Sequence, residues 1–354
     1  MEPTGGLSAQ NQAVLSLLKD EFNFQNGFIT DMNGRPWIMW HTTDLYAWWH
    51  SFEEQCQTPL GRKLMNACAD QEEFFLHRQG TLNKGWWRRK KTQQEAIDAR
   101  WSKYGWGSLS IEKETATSLL FAPMVAGLAL AAHEAISQHR KKLQWNQVNS
   151  KMIRFELSES STVLPPAPEP PHLPWCSATT TGLIVPPVFE EMTAGECELY
   201  LDGESVCMFP VDAFTRLFHT CRAYQITVSL EQQEAWLTPQ LTDGDRSVFL
   251  MVIASMSALV QQSERPIYLD GAESWTQQLH HYLGPFGWGL PVSAEAMDSP
   301  DGMRFTLQSS ASLPFLVGWI VAMWERGHGK LSKFTLHREE ESWTLDIESR
   351  LAYN

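Results

Sequence analysis

The chain has no paired-cysteine signature. Its six cysteines, Cys56, Cys68, Cys176, Cys197, Cys207 and Cys221, contain no Cys-x-x-Cys spacing, and the polar N-terminus lacks the apolar core of a secretory leader. A reducing cytoplasm is the expected setting. Long hydrophobic runs are missing as well. The two most apolar stretches, residues 118–132 and 312–324, each contain a proline and stop short of the ~20 residues a membrane span needs. Both are expected to be buried helices, and no membrane span is expected. Positive charge is scarce: 28 Lys+Arg against 41 Asp+Glu leave a formal net charge of -13. A general phosphate-backbone binder needs a basic footprint, so nucleic acid is not an expected partner. The deficit is uneven, +2 over residues 1–158 and -15 over residues 159–354.

Catalytic signatures are absent from the sequence too. His133-Glu134 is followed by His139, an interval of six, whereas a zincin helix needs histidines at i and i+4 to share a face. His280-His281 are adjacent and do not converge on a helix, and His328 lies between two glycines, a setting for a turn residue. Gly284-Pro-Phe-Gly-Trp-Gly289 lacks the Lys-Ser/Thr of a nucleotide-phosphate loop, and its proline removes a backbone donor. No G-x-S-x-G elbow occurs. The acidic run Glu339-Glu340-Glu341 reads as a solvated turn between strands. No catalytic residue, metal site or cofactor is assigned, and a non-enzymatic role is favoured over a site that converges only in three dimensions.

What the sequence has in excess is tryptophan, 16 residues, and a local concentration of proline. Residues 158–174 hold six of the 19 prolines. Such a stretch has too few donors and too little apolar bulk for a core, and is expected to run as an extended spacer. The segments on either side share landmarks. Asn33-Gly34 lies between apolar runs in the first, Asp202-Gly203 in the second; both predict β-hairpins in which two central residues take positive φ. An amphipathic helix follows each, with Leu45, Trp48, Trp49 and Phe52 on one face in the first and Phe214, Leu217 and Phe218 in the second. Thr43 and Asp212, each nine residues after its turn glycine, are candidate N-caps. Tyr104-Gly-Trp-Gly107 is matched by Phe286-Gly-Trp-Gly289, and the two apolar helices carry Pro123 with Gly127 and Pro314 with Gly318. Alternating strands end each copy.

These matched landmarks predict an α+β protein of two pseudo-repeated units, each an antiparallel sheet packed on helices, arranged as a pseudo-twofold dimer within one chain. The boundaries expected are 1–157 for the first unit, 158–178 for the linker and 179–354 for the second. The order of hairpin, helices, Gly-Trp-Gly strand, small-residue helix and closing strands resembles tandem 4-vinyl-reductase-type domains, a hydrocarbon- or small-molecule-binding family related in fold to the TRAPP transport subunits. Members often carry paired cysteines near the closing strands, ending Cys-x-Phe; residues 152–155 and 343–346 contain no cysteine. The resemblance therefore implies capture of an apolar small molecule or a scaffolding role, without cysteine-dependent chemistry.

Two sets of residues are candidates for function. Trp40, Trp48, Trp106, Phe121, Met124, Trp288, Phe315 and Trp319 are candidates to line an apolar ligand pocket between sheet and helices. Core packing, or the face joining the copies, is the plainer account of the same aromatics, and a protein-partner surface is a third. The basic segment Lys84, Trp86, Trp87, Arg88, Arg89 and Lys90 interleaves cations with indoles, as an adaptor for an anionic partner would.

Overall fold

A computed structural model describes residues 9–79, 89–161, 165–176, 188–225, 227–340 and 342–351. The first half runs α1 (Ala9–Glu21), β1 (Phe22–Gln25), β2 (Phe28–Asp31), β3 (Pro36–His41), α2 (Thr42–Cys56), α3 (Gly61–Gln79) and α4 (Arg89–Lys103). It continues with β4 (Ser108–Ser110), β5 (Thr115–Thr117), α5 (Ala122–Ser137), β6 (Lys141–Gln147) and β7 (Met152–Glu159). The second half opens with α6 (Val188–Glu191), β8 (Thr193–Ala194), β9 (Leu199–Leu201), β10 (Glu204–Pro210) and α7 (Val211–Cys221). Then come α8 (Leu230–Ala235), β11 (Trp236–Leu237), α9 (Asp243–Gln262) and α10 (Gly271–Leu283). It closes with β12 (Ser293–Ala296), β13 (Met303–Gln308), α11 (Leu313–His328), β14 (Ser332–Arg338) and β15 (Ser342–Ser349). The architecture is α+β, and no described helix is long and apolar enough to cross a membrane.

The hairpins form where the turn chemistry places them, with one difference. Asp202 and Gly203 both take positive φ, 51° and 80°, giving the tight two-residue turn between β9 and β10. At Asn33-Gly34 only Gly34 does, at 75°. There Asp31 Oδ1 accepts from the Asn33 and Arg35 amides at 2.8 and 3.0 Å, and this side-chain turn holds a longer loop. A second Asn-Gly pair, Asn26 (φ 51°) and Gly27 (φ 76°), makes the two-residue turn between β1 and β2. The expected N-caps are also corrected. α2 starts at Thr42 and α7 at Val211, with His41 and Pro210 as N-cap residues that offer no side-chain cap. Each hairpin strand runs directly into its helix, so Thr43 and Asp212 fall inside the first turn, and Asp212 instead meets Arg35 at 3.2 Å.

The two hairpins do not head separate sheets. They join edge to edge in one six-stranded sheet, β1-β2-β3-β10-β9-β8. β3 and β10 pair antiparallel in the register Met39 with Met208, Trp40 with Cys207 and Ile38 with Phe209. Met39 and Met208 each lie five residues after the turn glycine of their own hairpin. The central pair thus brings like position to like, as in an isologous contact. Two further sheets have the orders β4-β5-β7-β6 and β12-β13-β15-β14, the second extended by β11, which runs parallel to β14. α3 packs on α5 and α9 on α11 within each half, while α2 packs on α9 and α7 on α3 across the halves.

The apolar helices meet their partners through glycine. A Cβ at Gly318 would lie 2.9 Å from the Ile253 carbonyl of α9, and one at Gly127 would collide with the Met65 carbonyl of α3. The proline-rich segment is not a free spacer over its described part. Leu173 and Trp175 are fully buried, Trp175 meets Phe249 edge-on at 5.1 Å, and Arg216 donates to the Pro168 carbonyl at 2.6 Å. Two apolar side chains close to the end of the run anchor what its prolines would otherwise leave extended.

Candidate functional site

Trp40 stands six residues after its turn glycine on β3, and its ring meets Trp288 of the second Gly-Trp-Gly segment edge-on at 4.3 Å. The positive φ of Gly287 and Gly289, 79° and 89°, bends that segment onto the first half's hairpin. A Cβ at Gly287 would lie 2.5 Å from the Trp37 carbonyl. The first Gly-Trp-Gly segment makes the reciprocal contact: a Cβ at Gly105 would lie 2.6 Å from the Val206 carbonyl. Trp37 and Val206 each follow their turn glycine by three residues. Each Gly-Trp-Gly segment therefore packs on the hairpin strand of the other half.

Around Trp40 and Trp288 this crossing leaves a cavity of about 150 Å³. Met39, Trp40, His41 and Asp44 line it from the first half. Leu259, Arg265, Tyr282, Phe286 and Trp319 line it from the second, with Asp202 and His281. The volume is that of a cavity able to take a single aromatic ring. Tyr282 stacks on Trp319 at 6.0 Å and 20°, and the Arg265 guanidinium sits 5.4 Å over the Trp319 ring. Arg265 pairs with Asp44 across the junction of the halves. Arg326 of α11 fixes the backbone that carries Arg265, donating to the carbonyls of Val260, Ser263 and Arg265 at 2.7, 3.0 and 2.7 Å. His41 lies 5.0 Å from Phe286 and 3.2 Å from Glu204. Burial holds its pKa below the ordinary value, against the opposing pull of Asp44 and Glu204.

The first Gly-Trp-Gly segment packs closely on β10. Phe209, six residues after its own turn glycine, meets Trp106 at 5.8 Å, the counterpart of Trp40 with Trp288. Tyr282 precedes Phe286 by four residues, and in the first half Arg100 precedes Tyr104 by four. Arg100 is buried and makes a two-pronged pair with Glu72 at 2.5 and 2.7 Å. Burial by itself would lower the Arg100 pKa, but Glu72 and Tyr104 outweigh it and the net shift is upward. The guanidinium lies 5.0 Å from the Tyr104 ring centre and 5.4 Å from that of Trp106. Arg100 and Glu72 thus form an internal ion pair beside Tyr104 and Trp106.

Of the pocket residues expected from sequence, Trp40, Trp288 and Trp319 line the cavity. Phe315 and Trp48 form its backing: Phe315 meets Trp288 at 5.1 Å and Trp48 at 5.2 Å, and Trp48 meets Trp40 at 5.7 Å. Trp106 does not line it; its Nε1 donates to the Met208 carbonyl at 2.8 Å. Phe121 stacks on Trp49 at 5.5 Å, and Met124 is fully buried in α5; neither lines the cavity. Sequence reasoning missed the polar members, Asp44, Arg265, His41 and Tyr282, because the two halves bring them together from far apart in the chain, Asp44 and Arg265 from 221 positions. In the basic segment, Lys84, Trp86, Trp87 and Arg88 lie outside the described residues. Arg89 and Lys90 open α4, and their side chains are also outside that description.

A wider groove of about 540 Å³ lies between α3, α5 and β6, lined by charged side chains. Its central cation, Arg140, is already held by Glu73 at 2.8 Å and Glu134 at 2.7 Å. Size alone does not make it the better candidate, since the charged groups at its centre already pair with one another. Among the described residues no group of three or more His, Cys, Asp or Glu could hold a metal ion. Comparison with protein-family models, curated proteins and solved structures finds no match for this chain.

Proposed function

We propose that the protein is a non-enzymatic binding protein that captures one small, flat, largely apolar molecule in the cavity between its halves. In this reading the chain is a fused pair of 4-vinyl-reductase-type units. One crossing point keeps a ligand site, and its counterpart, filled by Arg100 and Glu72, supports the fold. The observation that carries the reading is the 150 Å³ space walled by Trp40, Trp288 and Trp319, with wall residues supplied by both halves. The matching strand orders of the two smaller sheets and the like-to-like pairing of Met39 with Met208 support the fused-pair part.

Native mass spectrometry of the intact protein tests the proposal. The expected result is a single ring-sized molecule retained per chain and lost in Trp288→Ala. A bare wild-type chain that shows no thermal shift with ring compounds at millimolar concentration would count against it.

A further inference from the structure

We propose that the outer edge of β6 docks an extended acidic segment of a partner protein, which joins the sheet as a parallel strand beside the groove between α3, α5 and β6. The second half shows an edge of this kind already covered. Its sheet β12-β13-β15-β14 has the same strand order as β4-β5-β7-β6, and β11 lies parallel along the outer edge of β14. Trp236 of β11 is buried and stacks on Phe334 of β14 at 5.6 Å and 24°. Both edge strands begin alike: Glu325 accepts from the Ser332 amide at 3.1 Å, and Glu134 from the Lys141 amide at 2.7 Å. The cover comes from residues 222–242, which hold α8 and β11 between α7 and α9. In the first half only residues 57–60 join α2 to α3, a connection with nothing to spare for a strand. Among the described residues β6 ends its sheet.

The Ser160 amide donates to the Arg140 carbonyl, so by alternation along β6 the peptide groups of Leu143 and Trp145 face away from β7. Arg62 of α3 covers one point of that edge. Its guanidinium donates to the Leu143 carbonyl at 2.7 Å and lies 4.6 Å from the Trp145 ring centre. An arriving strand takes over the carbonyl and frees the guanidinium to pair with a carboxylate. Charge selects the occupant further. Lys141 and Lys142 also line the groove and, like Arg62, have no carboxylate partner among the described residues. β6 itself contains no acid, so two β6 strands from two copies would bring lysines together with nothing to offset them. The chain's own covering segment has the complementary composition: Glu231 and Glu234 precede Trp236, and Glu231 meets Arg350 at 3.3 Å. A segment of that kind from another protein supplies backbone bonds to the edge and carboxylates to the cations. Its aromatic ring packs on the groove's apolar lining, Met65, Leu130 and Leu143.

The test uses the intact protein and a fluorescein-labelled peptide with the sequence of residues 229–239, read by fluorescence anisotropy. Saturable binding is expected. Reversing two charges on the edge, Lys141→Glu with Lys142→Glu, is expected to weaken it at least about tenfold while the Tm stays unchanged. The peptide methylated on the backbone nitrogens of Ala235, Trp236 and Leu237 is expected not to bind, because it has lost the donors a strand offers. No binding of the parent peptide to the wild-type chain at millimolar concentration would overturn the docking site and leave the two lysines as guards of an unpaired edge. Equal binding by the lysine variant would place the peptide elsewhere, such as on β14 in exchange for β11, and overturn the assignment to β6. Undiminished binding of the methylated peptide would overturn strand addition.

Discussion

At the scale of single residues, burial decides which polar groups are quiet and which are poised. His133 on α5 is 5% exposed, and burial, followed by the nearby Lys141 charge, brings its pKa down to about 4. Its folded value lies below the unfolded value near 6.5, so protonation favours the unfolded chain. The stability it confers is whole above pH 6.5 and is lost as pH falls toward 4, about 3 kcal/mol at the limit. In urea titrations the midpoint of the wild-type protein is expected to fall across that window, and His133→Gln is expected to flatten the fall. Identical slopes in the two proteins would contradict the assignment. The Arg100–Glu72 pair is the opposite case: each charge is buried but paired, so removing either partner would strand the other in the core.

Among the elements, the Gly-Trp-Gly segments bear the strongest constraint. Gly105 has φ of 71° and stands against the Val206 backbone, so any side chain meets both an unfavourable conformation and an immovable neighbour. Gly105→Ala is expected to cost about 3 kcal/mol, roughly 1 from the positive φ and the rest from overpacking. Thermal unfolding reads this directly; an unchanged Tm would show that the segment does not press on β10. The element order was legible in sequence because each landmark has a local cause. Asp202-Gly203 specifies its turn, and the spacing of Leu45, Trp48, Trp49 and Phe52 specifies a helix whose four residues are all buried. The N-caps were not, since a strand that enters its helix directly needs no capping side chain to mark the start.

For the whole molecule, the crossing of the halves means that neither closes its own core. β3 finds its outer neighbour in β10, α2 packs on α9 and α7 on α3. A fragment of residues 1–176 would expose the edge of β3 and the apolar face of α2, surfaces that promote self-association. Such a fragment is expected to be insoluble or dimeric in analytical ultracentrifugation. A stable monomer would show that the first half completes its own core.

From the sequence alone came the α+β class, the two hairpins, the paired Gly-Trp-Gly segments and the apolar helices. Each depends on residues close together in the chain, where turn chemistry and periodicity act directly. Tertiary structure alone decided that the hairpins share one sheet, that Trp40, Trp288 and Trp319 face a common space while Phe121 and Met124 do not, and that Arg265 meets Asp44 there. Those outcomes depend on which edge pairs with which and in what register. Local pattern leaves that choice open until the two halves bury their apolar faces against each other.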